Sequence, residues 1–200
     1  VDIFNNVIEY IKWYHIHEKI YESEKRAIKA LDLRNCLDIG SGPGVFKDVL
    51  GDDSIFLDLS EMMLKETKEG YKVQAEAHFL PFRDKSINCS FVSVTICFLS
   101  NLEDFLKEIE RVTRNYIGIC IIPKDSPWGK YYVELGNRGH KYYSKAKFLT
   151  KKELYILISK FFNIEKIVST ITYNPWEEER VEDPKEDDSG SFLCLKASIK

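Results

Sequence analysis

The chain has 200 residues, 44% of them hydrophobic and 30% charged, with a formal net charge of -3, which suits one globular domain with its own core and excludes a disordered chain. No apolar run approaches the roughly 18 residues that span a bilayer, and Asp2, Glu9, Glu18, Glu22 and Glu24 interrupt the first thirty, which argues against a signal peptide and for a soluble, cytoplasmic protein with no membrane partner. The mild negative charge leaves no electrostatic footprint for nucleic acid, and the lysines at 141, 145, 147, 151 and 152 read first as a solvated face.

Ile3, Val7, Ile8, Ile11 and Tyr14 recur at helical spacing, and Ala27, Ile28 and Leu31 form a second series, so two amphipathic helices separated near Ser23 are expected up to residue 33. Residues 36–39 read as a strand stopped by glycines, 45–50 as a brief helix ending at Gly51, and 55–59 as a second strand. Ser60 caps a helix to about residue 69, closed by Gly70, and 73–75 is a third strand. The continuous apolar run 91–96 predicts a central strand buried on both faces. Leu102, Phe105, Leu106, Ile109 and Val112 trace a helix face, and 116–122 makes a fifth strand before Pro123. Residues 123–147 hold at most one short helix, 150–162 form a Thr-capped helix, and 164–173 and 191–199 read as two long strands. Between those strands, the acidic stretch 176–190 is expected as an exposed loop with freedom to move. Cys36, Cys89, Cys97, Cys120 and Cys194 are scattered singly, without metal-site spacing, and read as buried reduced thiols.

The chemistry concentrates where the first strand ends, at Asp38-Ile39-Gly40-Ser41-Gly42-Pro43-Gly44. Glycines there let the backbone turn sharply and approach a ligand closely. Twenty residues after Asp38, at the end of the second strand, Asp58 is placed to accept hydrogen bonds from both hydroxyls of a ribose. A dinucleotide fingerprint needs a third glycine where this chain has Val45, followed by a full helix facing a pyrophosphate. The turn therefore suits a ribose-bearing cofactor without phosphate, such as S-adenosylmethionine.

The series 36–44, then Leu57-Asp58-Leu59-Ser60-Glu61-Met62-Met63-Leu64, then Ala75-Glu76-Ala77-His78-Phe79-Leu80-Pro81-Phe82, resembles the ordered motifs of class I methyltransferases of the ubiquinone/menaquinone-biosynthesis type, over about residues 34–122. Trp13-Tyr14, His17, Thr95-Ile96-Cys97-Phe98 and 142–149 are similar to small uncharacterised methyltransferases of thermophiles. The resemblance implies an α/β, Rossmann-like sandwich: a mostly parallel seven-stranded sheet with helices on both faces. It divides the single domain into a helical lid (1–33), a cofactor core (34–122), an acceptor-side insert (123–149) and a closing helix and strand pair (150–200).

The resemblance also implies roles. Gly40, Ser41 and Gly42 line the methionine end of the cofactor with Asp38 beneath; Asp58 holds the ribose; Leu59, and with it Met63, borders the adenine; Glu76 accepts from the adenine amino group and the Ala77 N–H donates to the ring. His78 stands where the family has Glu, and Thr113-Arg114-Asn115 replaces its usual Lys-Pro-Gly-Gly turn. Thr95 and Cys97 end the fourth strand, at the edge where open α/β sheets bind ligands. Methyl transfer needs mainly an in-line acceptor, with a general base where that acceptor carries a proton. Candidates for such a base are His17, Tyr21 and Cys97, in or near an aromatic series (Trp13, Tyr14, His17, Tyr21) that could close over the cofactor. No metal is implied. A small-molecule acceptor is expected, with S-adenosylhomocysteine as product and a monomer or homodimer as the assembly; a protein or RNA acceptor, or a non-catalytic cofactor-binding subunit, are the alternatives.

Overall fold

A computed structural model describes residues 6–200, so Ile3 of the first apolar series lies outside the described residues. Two helices, α1 (Val7–Ile16) and α2 (Glu18–Ala30), precede an alternation of β1 (Leu37–Ile39), α3 (Lys47–Leu50), β2 (Ile55–Asp58), α4 (Glu61–Glu66), β3 (Tyr71–Gln74), β4 (Ile87–Ser93), α5 (Leu102–Val112) and β5 (Thr113–Ile121). Then follow α6 (Pro127–Asn137), α7 (Lys151–Ser159), β6 (Phe162–Thr170) and β7 (Phe192–Ile199). The seven strands form one sheet in the order β3-β2-β1-β4-β5-β7-β6. The five strands from β3 to β5 run parallel, and β7 is antiparallel to both β5 and β6. This is the expected mostly parallel sheet, and chain order reverses between β1 and β4, where such sheets open a crevice at their carboxyl edge.

Alternation along the strands divides the core in two. Ile117, Ile119 and Ile121 of β5 join Phe105, Leu106, Ile109 and Val112 of α5 and Leu154 and Ile158 of α7 on one face. Cys120 faces the other way, with Ala27 and Ile28 of α2 and Trp128 and Tyr132 of α6. That second face carries the chemistry.

Several expectations need correction. The break between the first two helices falls at His17, not near Ser23. Ser23 is fully buried within α2, its hydroxyl donating to the Lys19 carbonyl and accepting from the Glu182 N–H. α6 is a helix of 11 residues within the segment expected to hold at most a short one; Ser126 caps it, accepting from Gly129 N–H, with Pro127 in its first turn. α5 passes directly into β5 at Thr113, so no turn occupies 113–115. The acidic stretch is tied down at many points: Glu179 pairs with His17, Asp183 with Arg26, and Lys185 bridges to Ser169. Four of the five cysteines are not thiols, since Cys36 bonds to Cys89 and Cys120 to Cys194. Same-face residues on neighbouring strands stand side by side, here with Cα atoms 4.7 and 4.1 Å apart, at sequence separations of 53 and 74 that leave no local pattern. Cys97 alone is free.

Candidate functional site

At the carboxyl end of β1 the backbone doubles back through Gly40 (φ 71°), Gly42 (φ 53°) and Gly44 (φ 71°), all in the left-handed region. The N–H groups of Gly40 and Ser41 both donate to the Leu57 carbonyl, at 2.8 and 3.0 Å, which pins the turn to β2. The next residue, Asp58, accepts from Gly42 N–H and from Ser60 N–H, each at 2.8 Å. It fastens the turn and the entry to α4 together while its carboxylate keeps acceptor capacity for a ligand. Val94 takes φ 51°, strained for a β-branched residue, as the chain leaves β4, and Thr95 lands on Gly40, donating to its carbonyl at 3.2 Å.

Asp38 lies beneath this turn, 3% exposed, with no hydrogen bond to its carboxyl group among the described residues. Burial, helped by the charge of Asp58, pushes its pKa up to about 8. Burial also raises Asp58, against the pull of its backbone hydrogen bonds. Neither aspartate has a Lys or Arg partner among the described residues. Two desolvated acids and a backbone turn with no cation nearby suit a ligand bearing hydroxyls and positive charge, and offer nothing to a phosphate.

Along the adjoining edge, Leu59 is exposed and Met63 is buried. Ala77 is half-buried beside Glu76, whose carboxylate is occupied by His78: Glu76 meets His78 Nδ1 at 2.6 Å and His78 N–H at 3.1 Å. His78 Nε2 meets the Ser100 carbonyl at 2.7 Å. Both ring nitrogens face acceptors, an arrangement that favours the protonated imidazole. Burial pulls its pKa down, and the hydrogen bonds to Glu76 and Ser100 outweigh it, leaving the value raised. The departure at position 78 thus links the loop after β3 to the loop before α5.

Each of the three candidate bases is engaged by its own surroundings. His17 is held by Glu179. The Tyr21 hydroxyl donates to the Val45 carbonyl, and burial lifts its pKa to about 12. Cys97 is buried, its thiol also pushed up to about 12. The residue over the turn is one the sequence reading passed by: the Tyr10 ring lies 3.6 Å from where a Gly42 Cβ would stand. Its hydroxyl meets that of Tyr14 at 3.2 Å, and burial raises its pKa to about 12, with added contributions from Glu24, Asp58 and Asp38. Tyr10 sits three and four positions before Trp13 and Tyr14, so extending the aromatic series backward would have found it. Glu24, by sequence one of several helix acids, is 5% exposed on α2.

Comparison with known proteins agrees with this geometry. Residues 37–121 match the family model described as a methyltransferase domain. The chain is 33% identical over 196 residues to the uncharacterized protein MJ1123 of Methanocaldococcus jannaschii, covering 94% of each. Among solved structures it is similar to a Thermotoga maritima protein described as an S-adenosylmethionine-dependent methyltransferase, possible histamine N-methyltransferase (28% identity, 100% and 99% coverage, TM-score 0.90). It also shares the fold of the magnesium protoporphyrin IX methyltransferase of Synechocystis with bound S-adenosylhomocysteine (12% identity, 100% and 97% coverage, TM-score 0.68).

Proposed function

Since the chain belongs to the class I S-adenosylmethionine-dependent methyltransferases, we propose that it methylates a small-molecule acceptor, with the cofactor held by the turn at 40–42 and the acid at 58. The observation that supports this placement most is the Asp58 carboxylate, fixed by two backbone N–H groups with acceptor positions left for a ribose. Asp38 and Asp58, acids without cation partners, fit a ligand whose sulfonium and ammonium groups are positive. Gly40, Ser41 and Thr95 form the wall at its methionine end; Leu59, Met63, Glu76, Ala77 and His78 border the adenine, Glu76 now shared between His78 and the ring.

The sulfonium supplies an electrophilic methyl group when the cofactor is bound. The protein's own part is to exclude water, which the Tyr10–Tyr14 pair does from above, and to align the acceptor. A small acceptor fits the enclosed aromatic surroundings better than a macromolecule does. Of the clustered lysines, Lys141 pairs with Glu9 and Lys151 with Asp188, which weakens the basic run as a nucleic-acid surface. The lid, core, insert and closing segments divided at residues 33, 122 and 149 belong to this proposal. So does a cytoplasmic location, which requires the two disulfides to persist inside the cell, as in intracellular proteins of hyperthermophiles. No helix among the described residues is long and apolar enough to cross a membrane.

The test is transfer of label from methyl-labelled S-adenosylmethionine to fractionated metabolites, protein and RNA. Label in metabolites alone supports the reading; label in protein or RNA replaces it, and tight binding without transfer to any fraction makes the chain a non-catalytic subunit.

A further inference from the structure

Glu24 has no hydrogen bond or ion pair to its carboxyl group among the described residues, although it is 5% exposed. It borders a small cavity whose walls are mostly apolar and aromatic (Ile122, Trp128, Tyr132, Ile171 and Phe192), with Ser191 the one other polar residue, its hydroxyl accepting from the Trp128 backbone N–H. A buried acid without a partner is costly unless a ligand supplies the counter-charge. The Trp128 indole N–H is already satisfied by the Tyr173 carbonyl at 2.9 Å, so its ring serves the cavity as an apolar wall and an electron-rich face. Tyr132 is held by stacking on Tyr143, ring centroids 4.2 Å apart. These walls are fixed by their own contacts.

The cavity also has the right address. Ile122 follows the carboxyl end of β5, and Phe192 starts β7, whose Leu193 pairs with Ile121 of β5. Because β1, β4 and β5 are parallel, this is the same sheet edge as the glycine turn, two strands along. Tyr10 relates the two: its ring is against Gly42, and its hydroxyl registers the charges of Glu24, Asp58 and Asp38 alike.

We propose that this cavity is the acceptor site and that it takes an amine, with Glu24 meeting the nitrogen and the rings of Trp128 and Tyr132 flanking it. The inference rests on the methyltransferase reading and adds the acceptor's chemical class. Glu24, protonated near neutrality in the empty cavity, gives its proton to solvent as the amine enters as an ammonium ion, whose charge stabilises the carboxylate it pairs with. One proton passes from nitrogen to Glu24, freeing the nitrogen lone pair. The N–C bond then forms as the bond from methyl carbon to sulfur breaks, and that electron pair stays on sulfur, giving the neutral thioether and a methylated ammonium ion. Glu24 keeps that proton as the product leaves, which restores the empty cavity. Burial lifts the Glu24 pKa to about 8, in the range suited to a group that takes and gives a proton near neutrality. The titratable groups that register its charge are Tyr10 and Tyr14 of α1, Tyr21 of α2, Tyr132 of α6 and Tyr143; all have raised pKa values, so they stay neutral near pH 7 and none competes for the proton.

The test uses the full chain saturated with S-adenosylhomocysteine and a panel of methylamine, ethylamine, benzylamine and histamine. Each is set against an uncharged counterpart (methanol, ethanol, benzyl alcohol and 4-(2-hydroxyethyl)imidazole), and binding is followed by calorimetry and tryptophan fluorescence. At least one amine is expected to bind tenfold or more tighter than its counterpart. Glu24→Gln is expected to erase that preference with S-adenosylhomocysteine affinity unchanged, and label from the methyl donor should appear on the nitrogen of the preferred amine. Absence of amine preference in the wild-type protein overturns the proposal without needing any variant. So does a Glu24→Gln protein that keeps the preference, or label on oxygen or carbon of an acceptor. Failure to bind S-adenosylhomocysteine at all would instead sink the methyltransferase reading, and the two failures are told apart by that control.

Discussion

Replacing Gly40 with alanine adds one methyl group at the tightest point of the turn. The new Cβ would stand 2.4 Å from Thr95 Cγ2, 2.5 Å from its Oγ1 and 2.9 Å from its Cβ. Thr95 cannot rotate away freely, because its hydroxyl is engaged with the Gly40 and Ser93 carbonyls at 3.2 and 3.1 Å. A left-handed backbone costs an L-residue roughly 1–2 kcal/mol. Forcing a methyl group into a packed site adds about 1–3 kcal/mol. The expected loss is therefore roughly 2–5 kcal/mol, read as a lower urea midpoint at unchanged slope. Thr95→Ala in the same chain removes Cγ2 and Oγ1 but keeps the Cβ, so it should return part of the packing cost and none of the backbone cost. A double-mutant cycle is expected to give about 1 kcal/mol or more of coupling between the two positions. Strict additivity, or a Gly40→Ala protein as stable as the parent, would refute the contact on which the turn is built.

Asp58→Ala should weaken S-adenosylhomocysteine binding by about 2–4 kcal/mol, roughly 30- to 1000-fold, through lost charge-assisted hydrogen bonds. It should also cost about 1–3 kcal/mol of stability, because the Gly42 and Ser60 N–H groups lose their acceptor; a variant with unchanged affinity by calorimetry removes the ribose assignment. Stability should fall as pH rises from about 4 toward 8, because Asp38 and Glu24, both raised to about 8, keep protons in the folded chain that the unfolded chain releases. Their contribution is complete below the ordinary carboxyl range and gone above about pH 8; for Glu24 it is on the order of 5 kcal/mol, so denaturation at about pH 5 and 8.5 should show a smaller drop in Glu24→Gln, and an equal drop would contradict its burial. In denaturant without reductant one thiol per chain, that of Cys97, should titrate; five would rule out the disulfides. Reducing either bond is expected to cost about 2–4 kcal/mol.

The parts of the fold that were legible in the sequence are those set by short-range chemistry. The period of Leu102, Phe105, Leu106, Ile109 and Val112 marks α5 to the residue, and Gly40, Gly42 and Asp58 could be read because a turn and an acid at a fixed spacing have few other uses. What was missed depends on contacts between distant segments. The disulfide partners are neighbours only once β1, β4, β5 and β7 are laid side by side, and Ser23 looked like a helix cap because its acceptor role toward Glu182 lies 159 residues away. α6 was hidden by its two glycines and three aromatic residues, which tertiary packing of Trp128 and Tyr132 overrides. Glu24 resembled any solvated helix acid; only its burial distinguishes it.

The central claim is that the crevice at the carboxyl edge of β1 and β2 holds the adenosyl group, and a crystal structure with S-adenosylhomocysteine tests it most directly. Both ribose hydroxyls should lie about 2.5–3.0 Å from the Asp58 carboxylate, with the homocysteine portion against the turn at 40–42 and its sulfur facing the Tyr10–Tyr14 pair. A ligand bound elsewhere, or a crevice filled by protein side chains in crystals grown with excess ligand, would contradict it.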